Sequence, residues 1–183
     1  MSHTRKRGVV VFITGISGVG KTTLAVGVSK YIEDILKKKV TILDGDEVRT
    51  WLSDGLGFSE DDRKKNMRRV GRVASEISRH GGVVICSLIA PYSKVRDEIR
   101  KIIEQHSRYV EVYLHAPIDV LVSRDPKGLY SKSKIDKTIR MSGIDDIYEI
   151  PKTPDIDIDS SEVGIGEAVK IVLDKLTPLF PSH

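Results

Sequence analysis

One cysteine, one asparagine and one glutamine are all that 183 residues contain, and aromatic side chains make up only 5% of them. The single Cys86 excludes an internal disulfide and fits a reducing compartment. Within the apolar run VVICSL it reads as a small buried residue and not as a nucleophile. Five histidines without ligand spacing give no zinc site. No apolar run approaches the roughly 20 residues of a membrane span. The basic MSHTRKR leads straight into VVVFIT, without the apolar core and small-residue cleavage site of a signal peptide, so a cytoplasmic protein is expected. The basic runs TRKR (4–7), KKK (37–39) and RKKNMRR (63–69) carry no interleaved aromatics, so platforms for stacking nucleic-acid bases are poorly supported. The net charge of +4 therefore points to small, highly anionic ligands, with no nucleic acid and no membrane among the expected partners. Scarce amides beside 30 basic and 26 acidic residues resemble the composition of a protein from a hot environment, a thermophile. That scarcity also singles out Asn66.

What is present is an alternation of apolar runs and helix-like stretches. VVVFIT (9–14) leads through a glycine-rich turn into TLAVGVSKYIEDILKKK (23–39), where Leu24, Val28, Ile32, Ile35 and Leu36 share one helical face. VTIL (40–43) predicts a short buried strand ending at Asp44-Gly45-Asp46. Residues 60–80 predict a long helix, with Ser59 as N-cap, Asp62 three positions on, and Gly81-Gly82 closing it. Further strands are expected at VVICSLI (83–89), YVEVYL (109–114) and DIDID (155–159). Helices are expected near 93–106, from PIDVLVSR (117–124), and over 162–176. The pattern predicts an α/β fold, a parallel sheet with helices on both faces, in a single domain over 1–183. Residues 125–150 show no clear element, and long loops of this kind are usually functional, often lids.

Gly15-Ile16-Ser17-Gly18-Val19-Gly20-Lys21-Thr22 matches the phosphate-binding G-x-x-x-x-G-K-[ST] loop in full. Its glycines let backbone N–H groups turn inward around phosphates, Lys21 reaches the β- and γ-phosphates, and the Thr22 hydroxyl can ligate Mg²⁺. The context fits, with a hydrophobic strand before the loop and a helix after it whose N-terminus prefers anions. Thr23 follows within the same turn, so ATP with Mg²⁺ is the expected nucleotide. No N-K-x-D guanine-reading motif occurs, which argues against a GTPase. A compact chain with a basic late loop suggests a small-molecule kinase, because phosphoryl transfer needs charge neutralisation and a shield from water. Arg124, Lys127, Lys132, Lys134 and Arg140 are candidates to supply both. Asp44 and Asp46 lie at a strand end, where one carboxylate can hold Mg²⁺ and the other can take a proton from an attacking hydroxyl.

LDGDEVR (43–49), GFS (57–59), EDDRKKNMRR (60–69), IAPY (89–92), DPKGLY (125–130) and GIDDIYE (143–149) stand in register behind this loop, and together they resemble the adenylyl-sulfate kinase family. The resemblance runs from about residue 9 to residue 175. It implies transfer of the γ-phosphate of ATP to the 3′-hydroxyl of adenylyl sulfate, in sulfate assimilation, and it suggests a homodimer. It places Asp46 near the acceptor hydroxyl, Arg49 on the adenylyl sulfate, and Phe58 stacked on its adenine, although a phenylalanine after a turn is more often buried. Arg63 and Asn66, three apart on one helical face, correspond to further acceptor contacts. Ile89 and Ala90 would line the acceptor site. Lys127 and the Gly143-Ile144-Asp145 stretch would belong to the lid over both nucleotides. Lys127, Met141, Ser142 and Gly143 would bind substrate, with Met141 near the second adenine, and Arg124 would lie near the ATP base.

The sequence departs from the family pattern at several points. Ala90 stands where a serine is common, and it offers no nucleophile, so direct in-line transfer is the expected mechanism. Glu47 replaces a usual Asn, Met141 a usual Phe, and Lys134 a common arginine. Methionine can still pack on a base through its thioether. Two other readings stay open at this level: a kinase for another hydroxyl acceptor, and a nucleotide-dependent switch that binds nucleic acid.

Overall fold

The computed structural model describes residues 8–125, 128–136 and 143–180. Among them lies a five-stranded, all-parallel sheet in the order β2-β3-β1-β4-β5. The strands are β1 (Val9–Thr14), β2 (Val40–Asp44), β3 (Val83–Leu88), β4 (Arg108–His115) and β5 (Ile156–Asp159). β1 and β3 are buried at every position, which is why they read as unbroken apolar runs instead of alternating ones.

Alternation reappears in what each side chain packs against. Val9, Val11 and Ile13 face a layer built by Leu24, Val28 and Ile32 of α1 (Lys21–Asp34) with Val172 and Leu176 of the C-terminal helix Ile165–Leu176. Val10 and Phe12 face the other layer, Met67, Val70 and Ala74 of Glu60–Arg79 with Ile99 and Ile103 of Ser93–Glu104. Helices thus cover both faces, as the alternation predicted. In chain order the remaining helices are α2 (Gly45–Val48), α3 (Glu60–Arg79), α4 (Ser93–Glu104), α5 (Ile118–Arg124), α6 (Leu129–Ile135) and α7 (Ile165–Leu176). After β2 and β3 on one side of β1, the chain crosses to β4 and β5 on the other. That reversal of strand order leaves a crevice at the carboxyl ends of the central strands.

Local signals set most boundaries. Ser59 caps α3 by accepting from the Asp62 N–H, and the Asp62 carboxylate accepts from Ser59 Oγ at 2.8 Å and from the Gly57 N–H at 3.1 Å. α1 starts two residues earlier than predicted and stops at Asp34 instead of running to 39. Lys37 turns the chain at φ 53°, and Ile35 is left exposed outside the helix. The segment that showed no element contains α6. The Asp125 carboxylate accepts from the N–H groups of Tyr130 and Ser131 in the helix's first turn, and among the described side chains of α6 Tyr130 is the one deeply buried. A helix of seven residues, with one buried side chain among those described, gives too little periodicity to be seen in a sequence. No helix among the described residues is long and apolar enough to cross a membrane.

Candidate active site

The loop 15–22 joins the end of β1 to the start of α1 and turns through Gly18 (φ 85°) and Gly20 (φ 97°), a left-handed backbone that favours glycine. Lys21 Nζ donates to the Ile16 carbonyl at 2.9 Å, which lays the ammonium along the loop it serves. Val19 is buried in the core and anchors the loop from below, so only its main chain is available to a nucleotide. Tyr130 of α6 donates its hydroxyl to the Ser17 carbonyl at 2.7 Å. Gly143 (φ 88°) lies so close to the loop that an added Cβ would sit 2.6 Å from the Ile16 side chain. Two points of the predicted lid segment are therefore packed directly on the phosphate loop.

At the end of β2 the Thr22 hydroxyl donates to Asp44 Oδ2 at 2.6 Å, and Asp44 Oδ1 accepts from the Asp46 N–H at 3.1 Å. Hydroxyl and carboxylate oxygens are the donors a hard divalent cation prefers. Among the described residues no cluster of three or more acidic, histidine or cysteine side chains forms a metal cage. The pair fits Mg²⁺, which keeps several waters and takes one or two protein oxygens plus substrate phosphates.

A cleft of about 270 Å³ opens from this pair. Ser17, Gly18, Gly20, Lys21, Thr22 and Thr23 line it from the loop, and Asp44, Asp46, Arg49, Arg63 and Asn66 line it too. Ser87 to Pro91 close it, so Ile89 and Ala90 both reach the lining. The lone asparagine is 7% exposed, and Ser53 Oγ donates to its side-chain oxygen, which presents the amide N–H₂ as the donor end. Arg63 donates from Nε to the Phe58 carbonyl at 2.8 Å and from Nη2 to Asp146 Oδ2 at 2.9 Å. Arg49 bonds the Gly57 carbonyl, and its guanidinium lies 4.3 Å from the centre of the Phe58 ring. Burial and the neighbouring Arg63 charge pull the Arg49 pKa down, against the opposing pull of Asp46 and Asp62. Two guanidiniums held on one wall form a site that an anion would stabilise.

Phe58 is 70% exposed, not buried, and lines a neighbouring cavity instead of the cleft itself. Arg124 also lies outside the cleft lining, donating to the Ser160 carbonyl at 2.9 Å in the turn after β5. Gly15 forms the turn out of β1, where an added Cβ would meet the Leu114 carbonyl. Lys127, Arg140, Met141 and Ser142 fall outside the described residues. Cys86 is fully buried, with burial pushing its thiol up to about 12, consistent with an inert packing residue. Asp146, Tyr148 and Tyr130 were not singled out in the sequence, although GIDDIYE and DPKGLY contain them. Tyr148 hydrogen-bonds Thr14 Oγ1 at 2.9 Å, and that hydroxyl donates to the Ile89 carbonyl at 2.6 Å, tying the end of β1 to the cleft's far wall.

Comparison with known proteins agrees with this geometry. The family model for adenylylsulphate kinase matches residues 7–159. An adenylyl-sulfate kinase of Myxococcus xanthus is 43% identical over 171 residues, covering 91% of each chain. One of Microcystis aeruginosa is 41% identical over 180 residues, covering 98% of this chain and 97% of its own. The solved structure of the Mycobacterium tuberculosis APS kinase in complex with AMPPNP and APS superposes with a TM-score of 0.87 at 34% identity, covering 93% of this chain and 98% of that one. A family model that matches residues 7–159 and relatives 43% and 41% identical over nearly the whole length settle the descent: the chain belongs to the adenylyl-sulfate kinase family.

Proposed function

We propose that the cleft carries out the family's phosphate transfer in a single in-line step, with ATP on the loop side and adenylyl sulfate against Arg49, Arg63 and Asn66. The observation that carries this reading is that Asp46 lines one cleft with both groups, its N–H bonded to Asp44 Oδ1 at 3.1 Å and its charge acting on Arg49. Backbone N–H groups of residues 15–23 cradle the triphosphate, and Lys21 supplies positive charge at its β- and γ-oxygens. Mg²⁺, held by Thr22 and Asp44 with phosphate oxygens, supplies further charge neutralisation when bound. Arg49 and Arg63 bind the sulfate and phosphate of the acceptor, whose negative charge beside the triphosphate would otherwise oppose binding. Asp46 accepts the proton of the 3′-hydroxyl as its oxygen bonds to the γ-phosphorus. The bond from that phosphorus to the β,γ-bridging oxygen breaks, and ADP leaves.

Ala90 supports transfer without a covalent enzyme intermediate at its position, because a methyl group has no nucleophile. Phe58 stacks on the acceptor adenine from its exposed position, and Arg124 acts at the ATP base. Lys127, Met141, Ser142 and Gly143 join the lid in this reading. The domain spans 1–183, and a homodimer belongs to the proposal on family grounds. Light scattering checks it against the 20.4 kDa mass of one chain. The reaction is tested by ADP release from MgATP with and without adenylyl sulfate, with identification of the phosphorylated product. Strong stimulation with 3′-phosphoadenylyl sulfate as product is expected. Absence of stimulation in folded, ATP-binding protein would overturn the acceptor assignment.

A further inference from the structure

The acceptor cleft does not end at Arg63. A second cavity of about 1010 Å³ adjoins it, and Arg63 lines both. One wall of the first contains Ala90 and Pro91, and one wall of the second contains Asp145, Asp146, Ile147 and Glu149. Between these walls lies a guanidinium that the transfer chemistry leaves unused. Arg96 of α4 is only 2% exposed. Its Nη1 donates to the Ala90 carbonyl at 2.6 Å, and its Nη2 donates to the Glu149 carbonyl at 2.7 Å. Its Nε stands 3.4 Å from Glu111 Oε1, and its guanidinium centre lies 5.9 Å from the centre of the Tyr148 ring.

Each partner has a reason to need holding. Ala90 adopts φ 47°, a left-handed conformation that a non-glycine residue keeps only when its surroundings impose it. Glu149 ends the segment whose Asp146 grips Arg63, and its own carboxylate accepts from the N–H of Ser93 at the start of α4. The Glu149 N–H returns to the Pro91 carbonyl at 2.8 Å, so the two walls already touch at the point where Arg96 spans them. A planar fork can hold two carbonyls in fixed directions at once, and an ammonium cannot. Behind it, Glu111 also meets Arg100 at 3.6 Å, and Arg100 bonds Asp155 at 2.8 Å, which fixes the base of the fork to β4 and the start of β5.

We propose that Arg96 is a positioning residue for the acceptor, joining the 89–91 wall to the 145–149 wall and so setting both the width of the acceptor compartment and the aim of Arg63. This rests on the reading of Arg49 and Arg63 as acceptor-binding residues. Arg96 lines neither cavity and its two carbonyl partners belong to the 89–91 and 145–149 walls, so its loss acts chiefly on the acceptor.

The test is steady-state kinetics on four single variants, each with both KM values, kcat and Tm. Arg96→Lys keeps a positive charge opposite Glu111 but loses the two-carbonyl tie. It raises the KM for adenylyl sulfate by about 10-fold and leaves the KM for ATP within about 2-fold. Arg100→Lys disturbs the same charged cluster without touching either carbonyl, and it leaves both KM values within about 2-fold even where Tm falls as far. Glu149→Ala removes an exposed carboxylate and loosens the same segment, raising the acceptor KM by about 3-fold. It carries the test if Arg96→Lys fails to fold. Arg49→Met reports on the underlying reading. If it leaves the acceptor KM unchanged, that reading fails and the inference fails with it. If Arg49→Met raises the acceptor KM while Arg96→Lys, or Glu149→Ala in its place, does not, the positioning role alone is overturned. Equal changes in both KM values for Arg96→Lys also overturn it.

Discussion

The two sides of the cleft are built in opposite ways. The phosphate side is local: one loop between β1 and α1 offers main-chain groups, and one strand end adds Asp44. The proposed acceptor side draws on Asp46, Arg49, Arg63, Asn66 and 87–91, with 145–149 lining the cavity next to it. Its ties span 83 positions from Arg63 to Asp146 and 134 from Thr14 to Tyr148. A backbone cradle depends on little beyond its own glycines, so it serves any triphosphate. A wall of side chains drawn from distant segments exists only once the whole sheet has formed, and it is there that one acceptor can be told from another. On the proposed reading, binding of donor and acceptor is separable by mutation, with Asp46 as the seam between them.

Asp46→Asn is expected to have the largest effect, because it removes the proton acceptor at that seam and leaves both walls standing. Its kcat falls by about 10²- to 10⁴-fold with both KM values nearly unchanged, measured by steady-state kinetics. A rise confined to one KM would place Asp46 on one side of the cleft and break the symmetry proposed for it. Arg63→Met comes next. Losing a charged hydrogen-bond donor of about 1.5–3 kcal/mol raises the acceptor KM by roughly 10- to 100-fold, while nucleotide titration finds ATP binding unchanged. Weakened ATP binding in this variant would show that the two sides are coupled. The smallest effect belongs to Phe58→Ala. Stacking worth about 1 kcal/mol corresponds to a rise of about 5-fold in the acceptor KM. Thermal unfolding should not move, since the ring is 70% exposed and packs in neither core layer. A lower Tm would instead assign it a packing role.

Legibility followed the same division. The phosphate loop was readable because its residues act where they stand in the chain, and the strands were readable because burial on both faces leaves runs such as VVVFIT and VVICSL. Asn66 stood out as the single asparagine, and it does line the cleft. Asp146 lay inside a quoted motif but gave no sign of its partner, since nothing local links it to Arg63. For Phe58 the ordinary expectation is a buried aromatic, and only the packing shows it on the surface against Arg49 instead. Arg96 carries no signal in the sequence beyond being a charge in a helical stretch, yet at 2% it is the least exposed charged side chain among the described residues.

By itself the sequence determined the order of strands and helices, the loop that meets the phosphates and the family whose motifs it carries. The first two follow from periodicities and spacings a few residues long, and the family from the resemblance of six motifs in register. Only the tertiary structure decided that α6 forms and binds the phosphate loop through Tyr130, that Ala90 is held in a left-handed turn, and that Arg96 bonds both sides of the acceptor compartment. The reason is physical. Each of these depends on main-chain carbonyls brought close by folding, and every residue type carries the same carbonyl, so no pattern of side chains announces it.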